Sequence, residues 1–468
     1  MSVWDQFDVV VIGAGPAGEV AAGRLAEGGC SVAIVERELV GGECSYWACI
    51  PSKVLLRPGE AIEAARRVPG AREAITGDLD TQAALRHRDH MISDLSDAAQ
   101  VPWLDERGVT LVRGTGRLTG KRLVEVERSD GSRRTLHASR AVIIATGSSA
   151  AIPPIDGLAD ARPWSNREIT TAHQAPARLL ILGGGAVGCE MAQVWRRLGR
   201  REVMIVERED RLLPSEEPFA GLQLAESFTA EGITVIAEIS VSSVVRDDAS
   251  GVVSATFADG RIVDADAILV AAGRRANTID LGIETVGLDP GDMIEVDDRL
   301  VATLPEETSD WLFAVGDVNG RALLTHAGKY QARIAADVIL GKTVTARADL
   351  DGAPRVVFTD PQVAAVGLTE REARERYPDM RTVEVDTGSV AGSKVAGLDA
   401  IGTCMLVVDD SRRVIVGATF TGYGVSEMLH AATIAISAQV TLEELWHAIP
   451  AYPTTSEVWL RLLETAGL

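Results

Sequence analysis

Two stretches of this chain are written to the same plan, and that plan leaves few folds open. In the first, the β-branched run D-V-V-V-I at 8–12 enters G-A-G-P-A-G, which sets Gly13, Gly15 and Gly18 in a G-x-G-x-x-G pattern. An alanine-rich helical segment and the run S-V-A-I-V follow, ending at Glu36. In the second, R-L-L-I-L at 178–182 enters G-G-G-A-V-G, with Gly183, Gly185 and Gly188 in register, and E-V-M-I-V at 202–206 delivers Glu207. Strand, glycine turn, helix, strand and acid is the order of a parallel α/β unit. Its turn admits a pyrophosphate to the helix N-terminus, and its acid accepts from ribose hydroxyls. Two such units predict two dinucleotide sites, one cofactor tightly held and one exchanging. Glu207 stands where an acid hydrogen-bonds the 2′-hydroxyl of NAD and repels the 2′-phosphate of NADP, so NAD(H) is favoured over NADP(H). Arg208 and Arg211 follow closely and keep NADP(H) open.

The rest of the chain extends this scheme. Residues 60–107 read as polar helix, and residues 109–145 alternate as strands do, ending in A-V-I-I-A-T-G with Thr146 and Gly147 at the turn. The run A-D-A-I-L-V-A-A-G-R closes the second unit at Gly273 and Arg274. Then W-L-F-A-V-G-D-V carries Gly316 and Asp317 to the C-terminal end of a buried strand, where open α/β sheets bind ligands. Asp317 is equally at home as a turn or helix cap. From about residue 350, R-V-V-F-T, V-A-A-V-G, G-T-C-M-L-V-V-D and V-I-V-G-A-T-F read as an antiparallel sheet, with helices near 425–438 and 455–466. Its late position, its apolar helices and the lack of a phosphate loop suit a subunit interface, so a homodimer is expected. The expected fold is α/β: two Rossmann-like dinucleotide-binding domains plus a C-terminal α+β dimerisation domain. Its segments are 1–150 and 277–348 around the first site, 151–276 around the second, and 349–468 for the interface.

Composition narrows the partners. Forty-six basic against 67 acidic residues leave a formal net charge of −21, which opposes the electrostatic attraction that nucleic acids require. No apolar stretch approaches the roughly 20 residues that span a bilayer, and M-S-V-W-D-Q-F-D carries acids where a secretory signal carries positive charge. A cytoplasmic protein with neither nucleic acid nor membrane as partner is expected. Such a compartment keeps ordinary thiols reduced, so a disulfide among the five cysteines would be catalytic or sensory.

The stretch G-G-E-C-S-Y-W-A-C-I-P-S-K at 41–53 holds Cys44 and Cys49 between Gly42 and Lys53. Closing so short a loop returns little stability, which disfavours a structural clip. The spacing is also poor for tetrahedral zinc without another Cys or His nearby, so no resident metal is expected. Cys30, Cys189 and Cys404 lack such a setting and read as small packing residues.

Together with the two fingerprints, this stretch resembles that of the pyridine nucleotide-disulfide oxidoreductases, the flavoprotein group of lipoamide dehydrogenase, glutathione reductase and mercuric reductase. The resemblance implies FAD in the first fingerprint, with Glu36 on the adenosine ribose and Asp317 on the flavin side, and the nicotinamide nucleotide in the second. It implies that Cys49 lies against the flavin as charge-transfer sulfur and that Cys44 faces the acceptor as interchange thiol. It also implies that Lys53 approaches the flavin N5 and pairs with Glu190. A nearby ammonium would stabilise negative charge arriving with hydride and favour thiolate. The bland alternative for Lys53 is a solvated lysine on a helix surface.

One departure from the family pattern concerns protons. Where the family carries His-Pro-Thr and a following Glu, this chain reads A-Y-P-T-T-S-E, with Tyr452 in the histidine's place and Glu457 keeping that of the orienting acid. A phenol, with an ordinary pKa of about 10, holds its proton at neutral pH. His447, five residues upstream, is a poor positional substitute. Tyr-Pro-Thr resembles the soluble transhydrogenases, which lack the second cysteine. The vicinal C-terminal cysteines of mercuric reductases and the extra redox pair of large thioredoxin reductases do not occur in L-E-T-A-G-L. The reading is therefore an NAD(P)H-dependent FAD oxidoreductase of the disulfide reductase type, acting on a small-molecule disulfide, quinone or metal acceptor. Dihydrolipoamide dehydrogenase, transhydrogenase or quinone or metal reductase, and non-catalytic redox sensor stand as alternatives.

Overall fold

Alternate residues of the strand Asp5–Ile12 supply two different cores. Val9 and Val11 join one buried cluster and Val10 and Ile12 another, so both faces of this strand are covered, as a parallel sheet requires. The computed structural model describes residues 4–199, 202–305, 310–397 and 401–468. The chain forms two compact units, the first comprising Met1–Pro51, Asp89–Ala150 and Arg274–Leu350, the second Ser52–Arg88, Ala151–Gly273 and Asp351–Leu468.

In the first unit, Asp5–Ile12 pairs in parallel with Val32–Glu36 on one side and Arg133–Ile144 on the other. Val109–Arg113 extends one edge in parallel, and Leu312–Ala314 pairs with the C-terminal half of Arg133–Ile144. The N-terminal half of that long strand instead continues antiparallel into Leu123–Glu127 and Thr115–Gly120. Helices Pro16–Glu27 and Thr325–Ile339 cover one face, packing Ala21, Ala22 and Leu25 with Ala332, Ala335 and Ala336. Small side chains here allow close helix contact; a Cβ on Gly328 would lie 3.4 Å from that of Ala17.

In the second unit, a four-stranded parallel sheet runs in the order Thr234–Ile236, Glu202–Val206, Arg178–Leu182, Ala267–Val270. Helix Ala186–Gly199 packs on it through Cys189, Met191, Ala192, Val194 and Trp195. A separate meander, Val241–Arg246, Val253–Phe257 and Ile262–Ala265, was not expected. The C-terminal sheet has five strands, in the order Arg355–Val357, Gln362–Gly367, Val414–Gly422, Thr403–Asp409, Met380–Asp386. Helices Val425–Ala438 and Val458–Thr465 bury its apolar face, where Phe420 and Trp459 meet edge to face at 5.8 Å. The architecture is thus two Rossmann-like dinucleotide-binding domains and a C-terminal α+β domain.

The polar stretch at 60–107 is less continuous than expected. Helices Cys49–Arg66, Thr81–Met91 and Val101–Glu106 are separated by turns. Left-handed Gly70 and a left-handed run at Ser93, Asp94 and Leu95 interrupt the helical path. No helix among the described residues is long and apolar enough to cross a membrane.

Candidate active site

The two fingerprints fold into matching cradles. Gly13 has φ +103°, and a Cβ there would lie 2.4 Å from the Ala145 carbonyl oxygen; for Gly183 the figures are +107° and 2.5 Å from Ala271. A Cβ on Gly18 would come within 1.9 Å of the Gly13 oxygen, and one on Gly188 within 2.0 Å of the Gly183 oxygen. These contacts exclude any side chain at the first and third positions. The middle glycines differ: a Cβ on Gly15 or Gly185 would meet nothing within 4 Å, which leaves the open approach a phosphate needs. The acids repeat as well. Glu36 Oε2 accepts from Ala14 N at 2.7 Å and Oε1 from Glu38 N at 2.7 Å. Glu207 accepts from Gly184 N at 2.6 Å and Glu209 N at 2.9 Å. Burial pushes the Glu36 carboxyl above its ordinary value, opposed by those two backbone donors.

The first cradle carries further groups suited to a dinucleotide. The Thr146 hydroxyl is buried without a partner among the described residues, as a ligand-facing donor would be. Ser148 Oγ donates to Asp317 Oδ2 at 2.6 Å, and Arg274 Nε lies 3.6 Å from the same oxygen. Asn277 ties Thr146 and Gly147 through their carbonyls, at 2.9 and 3.0 Å. These residues fit FAD in the first cradle, and the geometry at Gly185 and Glu207 fits a nicotinamide dinucleotide in the second. Gly273, φ +125°, accepts from Ala151 N at 3.0 Å.

The cysteine stretch is built onto the first cradle. Gly41 N donates to Ala14 O at 2.8 Å, and Gly42 approaches so closely that a Cβ on it would lie 2.9 Å from Gly15 Cα. Cys44 sits in the short helix Gly42–Tyr46, and Cys49 begins the helix Cys49–Arg66. Cys49 Sγ lies 3.3 Å from Thr325 Oγ1. The Cys44 thiol is pushed far up by its hydrogen bond with Cys49, then by burial and by the charge of Cys49; Thr325 and Lys329 oppose this. The other three cysteines are buried. Burial pushes Cys404 up to about 12 and raises Cys30 and Cys189 too.

In the second unit, Lys53 Nζ reaches both oxygens of the buried Glu190, at 2.7 and 3.0 Å. Phe358 N donates to Glu190 Oε1 at 3.0 Å, and the Lys53 ammonium lies 4.9 Å from the Phe358 ring centroid. No hydrogen bond joins Tyr452 and Glu457 among the described residues. Tyr452 is 77% exposed, while Glu457 Oε2 is buried with no partner among the described residues. Thr325 and Lys329 escaped the sequence reading because nothing local to them signals proximity to a cysteine. Glu19 gave a signal that could have been used, as a charged residue directly after the third glycine of a buried turn.

Two dinucleotide cradles, one carrying a cysteine pair, define a nucleotide-dependent redox enzyme. The chain belongs to the pyridine nucleotide-disulphide oxidoreductases: that family's model matches residues 7–332 and its dimerisation domain residues 353–462. These are FAD-dependent NAD(P)H oxidoreductases. The chain is 33% identical to the mercuric reductase of Streptomyces lividans over 94% of its own length and 93% of the relative's. It is 32% identical to the dihydrolipoyl dehydrogenase of Mycobacterium leprae, over 96% of each. Among solved structures it is similar to a Cu(II) complex of the HOCl-induced flavoprotein disulfide reductase RclA from Escherichia coli, with a TM-score of 0.85, 25% identity, and 98% and 99% of the two chains covered.

Proposed function

We propose that this enzyme passes electrons from NADH through FAD to the Cys44–Cys49 pair and on to a small-molecule disulfide. What supports the reading is the cysteine stretch built into the wall of the first cradle, where Gly41 N donates to Ala14 O at 2.8 Å, a Cβ on Gly42 would lie 2.9 Å from Gly15 Cα, and Cys49 Sγ lies 3.3 Å from Thr325 Oγ1. Cys49 would be the sulfur on the FAD side and Cys44 the interchange thiol, as the resemblance to the family implies. FAD would be held by Gly13, Gly15, Gly18, Glu36, Gly42, Thr146, Gly147 and Asp317, and supplies the hydride-accepting chemistry. Residues 1–150 and 277–348 would serve that cofactor, 151–276 with Gly183, Gly185, Gly188, Glu207 and Gly273 the nicotinamide, and 349–468 a homodimer interface. Lys53, fixed by Glu190, would stabilise negative charge at the FAD site. NADH is favoured over NADPH because Glu207 would accept from a ribose 2′-hydroxyl and repel a 2′-phosphate; Arg208 and Arg211, paired with Glu209 at 2.9 Å and Asp210 at 2.8 Å, are the groups that could reverse the preference.

In the oxidative half, the Cys44 thiolate attacks one sulfur of the acceptor, forming a mixed disulfide and expelling the first thiolate. Cys49 then attacks Cys44, which re-forms the internal disulfide and expels the second. Two electrons leave the pair, and its two protons end on the two released thiols. Tyr452 would donate hydrogen bonds, and would leave the proton relay to other groups; Glu457, five residues on, keeps the place of the family's orienting acid.

The test is an acceptor panel of lipoamide, glutathione disulfide, other low-molecular-weight disulfides, quinones, and copper and mercuric ions, each run with NADH and NADPH. Turnover with a disulfide and NADH, abolished in both Cys44→Ser and Cys49→Ser, is expected. Anaerobic NADH should also produce a long-wavelength thiolate-to-flavin absorbance that Cys49→Ser removes. Persistence of that band in Cys49→Ser refutes the assignment of Cys49. Turnover confined to quinones or metal ions and indifferent to both serines refutes the disulfide reading.

A further inference from the structure

The surroundings of Cys44 contain a charge arrangement that the reaction above does not use. Thr325 and Lys329 stand one helical turn apart at the start of Thr325–Ile339, and Thr325 is the residue that touches the cysteine pair. Lys329 is exposed and acts through its charge on Cys44, favouring the thiolate. Across the close contact of this helix with Pro16–Glu27, marked by Gly328 and Ala17, the same charge acts on Glu19. Glu19 lies in the first turn of its helix and is half-buried. With the Gln100 amide oriented to satisfy its neighbours, its nitrogen donates to Glu19 Oε1 and to Val40 O, both at 3.2 Å, and its oxygen accepts from the Tyr46 hydroxyl at 3.2 Å. Tyr46 closes the helix that carries Cys44.

We propose that Lys329, with Glu19 as its counter-charge, is the cation that steers anionic acceptors to Cys44 and stabilises the thiolate there. The inference rests on Cys44 being the acceptor-facing thiol. It deepens that reading by naming the acceptor class: a small disulfide with a carboxylate or another anionic group near the scissile bond. An exposed ammonium draws such a group by long-range attraction and meets the negative charge that develops on the attacking and leaving sulfurs. Glu19 makes the attraction pH-dependent. Burial raises its carboxyl to about 7, Lys329 opposes the rise and Glu36 adds to it. The groups facing it are Lys329 from Thr325–Ile339, Glu36 from Val32–Glu36, Tyr46 from Gly42–Tyr46, and the Gln100 amide; the pyrophosphate of FAD bound at the start of Pro16–Glu27 would raise it further. A carboxyl with a raised value is neutral below it and charged above. Lys329 is therefore uncompensated below about pH 7 and partly compensated above.

The test compares two alkylating agents of similar size on the FAD-loaded enzyme, reduced with dithiothreitol and desalted anaerobically. Iodoacetamide is neutral and iodoacetate anionic. The rate of Cys44 modification by each is read by mass spectrometry of its peptide. Thiolate fraction affects both reagents equally, so the iodoacetate to iodoacetamide ratio reports local charge rather than reactivity. Lys329→Met should lower that ratio about fourfold and Lys329→Arg should preserve it, since one unit charge within a Debye length in partly screened surroundings is worth about that factor. In the unsubstituted enzyme the ratio should fall as pH rises from about 7 upward, and Glu19→Gln should abolish the fall. A ratio unmoved by Lys329→Met overturns the proposal, as does one unmoved by Glu19→Gln should the lysine variant fail to fold. Modification of Cys49 instead of Cys44 in the unsubstituted enzyme refutes the assignment of the interchange thiol, and the proposal with it.

Discussion

Replacing Lys53 by methionine separates a structural lysine from a catalytic one. The Lys53 ammonium makes two bonds to Glu190, at 2.7 and 3.0 Å, and Glu190 accepts one more from Phe358 N. Removing one partner of a fully buried pair costs about 3–5 kcal/mol, because the other charge is stranded. Here Glu190 is 5% exposed but Lys53 is 37% exposed, so solvent already screens one end. The loss should fall to about 1–2 kcal/mol. Glu190→Gln keeps the shape and a carbonyl acceptor for Phe358 N, and the double variant Lys53→Met with Glu190→Gln should recover most of the loss. Chemical denaturation of the four proteins gives the coupling energy. Stopped-flow reduction of the flavin by NADH gives the second readout. If the ammonium stabilises charge at the FAD site, Lys53→Met slows reduction on the order of a hundredfold, Lys53→Arg far less, and the double variant stays slow although its stability returns. Recovery of rate together with stability would refute a role in hydride transfer and leave Lys53 as the partner of a buried carboxylate.

Three further outcomes follow from local geometry. Gly188→Ala places a Cβ 2.0 Å from the Gly183 oxygen, so it should raise the KM for NADH at least tenfold at unchanged flavin content; Gly18→Ala, at 1.9 Å from the Gly13 oxygen, should instead lower flavin retention, read by absorbance. Hydrogen bonds from Arg24, with help from Lys342, hold Asp337 down at about 2. A depressed carboxyl stabilises the fold above its unfolded value near 3.8 and loses that stability as pH falls to about 2, so Arg24→Met should cost about 1–2 kcal/mol at pH 6 and little at pH 2 in acid-unfolding curves. Tyr452→His should raise turnover with lipoamide; no gain would show that a base at this position does not limit the reaction.

The parts of the molecule that could be read from sequence are those whose cause is local. A glycine at position 13 or 188 is required by a carbonyl within a few residues or at the end of a neighbouring strand, and the same clash recurs in every such turn. Pairing of Lys53 with Glu190 was available from the family pattern, although 137 residues separate them. The strand Met380–Asp386 went unread despite the alternation in R-T-V-E-V-D, because only one of its residues is buried and the apolar signal is faint. The left-handed run at Ser93–Leu95 breaks a helical pattern without Gly or Pro, and no propensity anticipates it. Contact of Thr325 with Cys49 spans 276 residues and is created by the fold.

The two cradles agree within 0.1 Å in their glycine contacts, so those contacts cannot explain why one should retain its cofactor and the other exchange it. The difference lies in what closes over them. Gly41 bonds to Ala14, the residue between the first two glycines, and Gly42 packs on Gly15 at a distance that admits no side chain. The cysteine stretch is therefore part of the first cradle's wall. In the second cradle Leu213 N makes the equivalent bond to Gly184 O at 2.9 Å and the Leu212 side chain lies nearest a Cβ on Gly184, so the segment that closes there is similar in its bonding but carries no redox group. A cofactor bound in the first cradle would lie against the segment that carries Cys44 and Cys49, as transfer to that pair requires. What distinguishes the cradle proposed for the flavin from that proposed for the nicotinamide is therefore the cysteine pair in its wall, not the bonding that closes it.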